Sequence, residues 1–117
     1  MVRTIAIALL LLGSAAQAGQ QSPETAEDRD GRCLAVFSLA ASSEDKDTQE
    51  GGKIGAIFFA GKLRGRNPSV DFEKILRRAI PALEIKGGDD GERCGAELTA
   101  MGTAMTAAGA ALQKSPN

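Results

Sequence analysis

Beyond the first thirty residues, apolar side chains return every three or four positions, and this period predicts an all-α chain. The first predicted helix begins near Asp30, an N-cap residue type, and carries Cys33, Leu34, Val36, Phe37 and Ala40. It ends in the polar connection of residues 42–46. A central helix follows, opened by Asp47 with Glu50 in a capping-box spacing and weakened by Gly51 and Gly52. Ile54, Ile57, Phe58 and Gly61 line one face of it, and Ala56, Phe59, Ala60 and Leu63 fill much of the other. A helix apolar nearly all round needs cover on more than one side, so this element is expected at the centre of the fold. It closes at residues 65–68, where glycine, asparagine and proline stand in helix-ending positions.

The third predicted helix starts near Ser69 or Asp71, with Phe72, Ile75, Leu76, Ala79, Ile80 and Leu83 in a one-sided stripe. Pro81 falls inside that stripe and should kink or end the helix. Residues 87–91 read as a flexible acidic loop. The last helix, about residues 90–112, has the most regular pattern. Cys94, Leu98, Met101, Met105, Ala108 and Leu112 alternate by four and three, and Gly95, Gly102 and Gly109 repeat at seven beside them. The glycine line predicts close packing against the central helix with its own Gly61 and Gly65, and the methionines read as core filling. The expectation is a small four-helix domain over residues 30–114.

Ahead of that domain, Arg3, the apolar run of residues 5–12 and the small-x-small site Ala16-Gln17-Ala18 form a signal-peptide pattern. Cleavage is expected after Ala18, with residues 19–29 disordered and the mature chain in the periplasm or secreted. In an oxidising space Cys33 and Cys94 are expected to pair, and a link between two chains is the alternative. An intrachain bond constrains the path. With both cysteines near the N-terminal ends of their helices, residues 81–91 would have to run back along the third helix.

Charge is unevenly placed. Residues 19–50 hold eight acids against three bases, whereas residues 51–86 hold eight bases against three acids. Lys62, Arg64, Arg66, Lys74, Arg77 and Arg78 are the candidate surface for an anionic partner. The competing reading is a solvated face neutralised by the acidic first third.

The chain has no His, which removes the commonest general acid/base and the commonest metal ligand together. Asp89, Asp90 and Glu92 do not have calcium-loop spacing, and no nucleophile–base motif or phosphate-cradling glycine motif is present. No catalytic, cofactor or metal residues are therefore assigned, and with a net charge of −1 no nucleic acid is expected as partner. In layout, an exported helical chain with one wide disulfide resembles the HdeA-type acid chaperones and the small periplasmic immunity proteins of secretion systems. That resemblance implies no residue roles here. The functional expectation is a non-catalytic binding or interaction module of inhibitor or immunity type. Its partner would be another protein or an anionic envelope surface, and the chain would not span the membrane once the signal is cleaved. A stress chaperone and a small enzyme are the alternatives.

Overall fold

The computed structural model describes residues 23–115, with the side chains of residues 84–87 set aside. The predicted signal peptide and its cleavage site lie outside the described residues. Those described form α1 (Ala26–Ala40), α2 (Lys46–Arg66) and α3 (Phe72–Lys114), with no strand among them. The all-α fold stapled by one disulfide is as expected. Several element boundaries, and the centre of the fold, are not.

α1 starts four residues earlier than its expected start at Asp30. Thr25 is the N-cap: its hydroxyl accepts from the Asp28 backbone N–H at 3.0 Å, and the Asp28 carboxylate reaches back to the Thr25 N–H. This is a capping box with Asp in the position usually held by Glu or Gln. It draws residues 26–29 into the helix, out of the segment expected to be disordered. α2 likewise begins two residues early. Asp45, not Asp47, is its cap and accepts from the Thr48 N–H at 2.9 Å. α3 opens on Asp71, which accepts from the Lys74 N–H at 3.1 Å.

α1 and α2 form an antiparallel hairpin. Phe37 stacks on Phe59 with ring centroids 5.7 Å apart, and Lys62 and Arg66 reach back to Asp30 near the start of α1. The hairpin closes through two glycines. A Cβ on Gly55 would stand 2.2 Å from the Phe37 ring, and one on Gly52 would stand 2.2 Å from the Ala41 backbone nitrogen. The buried positions of α2 are Gly52, Gly55, Phe59 and Leu63, a single face. Ile54 and Ile57 on the other side are 60% and 74% exposed. α2 is therefore covered on one side only. The helix with neighbours on both sides is α1, whose Asp30 to Ala35 are all buried. Its short stretch of small and apolar residues meets α2 on one flank and α3 on the other.

The stretches expected as third and fourth helices are both helical, but they are joined without a break. The loop expected at residues 87–91 lies inside α3, as does Pro81. α3 is nonetheless far from straight. Ile75 packs so closely on Gly31 that a Cβ there would stand 2.9 Å from the Ile75 Cγ2, while two residues further along α1 Cys33 is bonded to Cys94. On a straight helix residues 75 and 94 would be about 28 Å apart. The helix must bend between them, where Pro81, Gly87 and Gly88 supply the usual causes of a kink. The bend replaces the extended return expected for residues 81–91.

The core gathers around that wrap: Cys33, Leu34, Phe59, Leu63, Ile75 and Cys94, with Phe37, Phe58, Phe72 and Leu76 packed against it. Cys33 and Cys94 lie in the middle of their helices rather than near the ends, with Cα atoms 5.4 Å apart and a sequence separation of 61. By loop entropy such a link contributes about 4 kcal/mol.

Candidate functional site

Two features stand outside ordinary core packing. The first is a collar of charge around the N-terminal half of α1. Asp30, 4% exposed, receives Lys62 at 3.1 Å and also Arg66. Lys62 bridges onward to Glu97 of α3. Two residues further along α1, Arg32 reaches Asp90 of α3, which is buried between Arg32 Nε at 2.7 Å and Arg93 at 3.0 Å, and Arg32 also holds Glu24. Arg78 lies 3.1 Å from both Glu27 and Asp28.

These pairs shift the groups in consistent directions. Burial pushes the Asp90 carboxyl up, but hydrogen bonds from Arg32 and Arg93 outweigh it and hold the group below the usual carboxylate range. Burial likewise opposes the charge on Lys62, yet Glu97 and Asp30 keep its ammonium above the ordinary lysine value. The hydrogen bond to Glu24, with Asp90 behind it, raises Arg32. Asp28 is lowered, first by the Thr25 hydroxyl. Among the described residues, no buried side-chain nitrogen or oxygen lacks a hydrogen-bond partner. The collar is internally satisfied.

The six basic residues picked out from the sequence divide on this basis. Lys62 and Arg66 converge on Asp30, Arg78 faces the first turn of α1, and Arg77 pairs with Glu73 on its own helix at 2.6 Å. The Arg64 guanidinium lies 5.0 Å from the Phe72 ring centroid. Lys74 is exposed on α3, one turn along from its cap. Four of the six thus face acids of the same chain, and three of those partners, Glu27, Asp28 and Asp30, belong to the acidic first third. Sequence periodicity had no means of finding Asp90. Its buried pairing depends on how α3 bends, and in sequence it sits in an acidic, glycine-rich stretch.

The second feature is the far part of α3. From Thr99 onward every described residue is exposed, including Met101 at 44%, Met105 at 64% and Leu112 at 76%. A Cβ on Gly95, Gly102 or Gly109 would meet nothing within 4 Å, and the same holds for Gly61 and Gly65. The expected close packing of this glycine line on α2 is absent. The methionines fill no core. The reason is geometric: once α3 has crossed α1 at Cys33, it continues past the end of the packed body, and neither α1 nor α2 follows it.

Among the described residues no three Cys, Asp or Glu side chains gather as a metal-holding group, and no helix is long and apolar enough to cross a membrane. Compared with known proteins, the chain matches no family model, no curated protein and no solved structure.

Proposed function

We propose that this protein is an exported, non-catalytic interaction module that engages a protein partner through the uncovered face of α3 beyond Leu98. The observation that carries the reading is the row Met101, Met105 and Leu112, large apolar side chains exposed along one helical face. Contiguous apolar surface of this kind marks association sites, and methionine suits it because its flexible thioether adapts to the surface opposite. Helix-in-groove recognition uses anchors at this spacing. Export is supported by the signal-peptide pattern and by the Cys33–Cys94 disulfide. The basic residues favour a protein partner over an anionic surface, because an anion would have to compete with Asp30, Glu73, Glu27 and Asp28 for four of them.

The test is affinity capture from a periplasmic extract with the oxidised mature chain as bait, beside a Met105→Glu and Leu112→Glu double variant. Capture of one defined protein by the first bait and not by the second supports the reading. Equal capture by both removes this face from the function. Suppression of aggregation of several unrelated proteins would instead favour the chaperone alternative.

A further inference from the structure

We infer that residues 98–114 of α3 pair antiparallel with the same segment of a second copy of this chain. The inference rests on the interaction-module reading and names its partner. The seam Leu98, Met101, Met105, Ala108, Leu112 advances by three and four, a period of 3.5 residues, and this period suits a neighbouring helix lying along it. Cys94, one step earlier on the same seam, is already occupied by α1; beyond the half-buried Leu98 the seam is bare.

The sequence complements itself in one antiparallel register. Met105 then lies opposite Ala108 of the second copy and Met101 opposite its Leu112, while Gly102 falls level with its Ala111 and Gly109 with its Ala104. Met105 meets a small residue at its layer, and each glycine level with an alanine lets the two backbones approach. A parallel pair would set Ala108 on Ala108, leaving a hollow layer, and would stack Met105 on Met105. Charge points the same way. No charged residue occurs between Glu97 and Lys114, so pairing the two segments strips water from no ion. A strongly charged partner would find nothing there to answer it. The overlap spans about 25 Å of helix. It buries on the order of 1,000 Å² in total, the lower bound of a specific interface. The dimer is therefore weak and concentration-dependent, and nothing already packed on α1 has to move.

Sedimentation equilibrium of the oxidised mature chain, from low micromolar to millimolar, provides the test. The expected result is a monomer–dimer equilibrium insensitive to added salt. Met105→Glu should weaken it at least about tenfold by forcing a charge into a closed layer. Ile57→Glu, on the exposed side of α2, should leave it unchanged. Spin labels on Lys114→Cys, with the native disulfide intact, should lie far apart in the dimer. A chain that stays monomeric throughout, a dimer indifferent to Met105→Glu, or labels in close contact would each overturn the inference. A monomer that still captures a foreign protein through the same face would leave the broader reading standing.

Discussion

Arg32 Nε donates a 2.7 Å hydrogen bond to Asp90 Oδ2, and both side chains are almost fully withdrawn from water. The pair fastens α3 to α1 four residues before the disulfide does. Together the two links hold the second limb of the bent helix against the body.

This pair makes the fold sensitive to acid. The folded-state value of Asp90 lies below the ordinary one, so its contribution is present above the unfolded carboxylate value. It is lost as pH falls through the folded value. Asp90→Asn should cost about 2–4 kcal/mol near neutral pH, because it leaves Arg32 and Arg93 facing an uncharged group. Urea unfolding of both proteins in a pH series checks this. The gap between them should shrink as pH falls below the unfolded carboxylate value; a constant gap would mean that the ionised carboxylate contributes nothing.

The disulfide should account for much of the remaining stability. Native oxidised protein should show no reactive thiol, and reduction should lower the unfolding free energy by about 4 kcal/mol. Thiol titration followed by thermal unfolding, with and without reductant, measures both. A melting temperature unmoved by reduction would contradict the placement of Cys33 and Cys94 at the centre of the core.

Two glycines on α2 should respond oppositely to the same change. Gly55→Ala drives a Cβ into the Phe37 ring and should destabilise by about 1–3 kcal/mol. Gly61→Ala meets nothing within 4 Å and should stabilise by up to about 1 kcal/mol through helix propensity alone. Chemical denaturation of the two variants decides the matter, and effects of equal sign would place the α1–α2 contact elsewhere.

The basic residues should also separate. Arg77 and Glu73 form an exposed pair, so Arg77→Ala should change stability by no more than about 0.5 kcal/mol. Arg66→Ala should cost roughly 1 kcal/mol, reduced by its own partial exposure, since buried Asp30 keeps Lys62 as a partner. Denaturation midpoints in low and high salt would show a larger salt effect at the exposed pair.

What the sequence made legible was local. The helical period, the stops at residues 65–68 and the cap at Asp71 follow from short-range chemistry, and the cysteine pairing follows from compartment and count. The capping box at Thr25 was also within reach, hidden by Asp28 standing where Glu or Gln is usual. The roles of Phe59 and Ile57 were not legible. Both are apolar and two residues apart, yet one is fully buried and the other 74% exposed, because only the glycine-bearing side of α2 admits α1. Nor could periodicity tell that Met101 and Met105 would lie past the end of the body. That depends on where α3 bends and crosses α1, which is a long-range property.

Hydrogen exchange on the full oxidised chain, measured across a dilution series, tests most directly whether the far part of α3 is surface rather than core. An exposed helix with Gly102 and Gly109 in it is marginal on its own. Amides of residues 98–112 should therefore exchange fast at low concentration and gain protection as concentration rises, while those of residues 30–35 stay protected throughout. Protection of residues 98–112 that equals that of residues 30–35 and does not change on dilution would contradict the account.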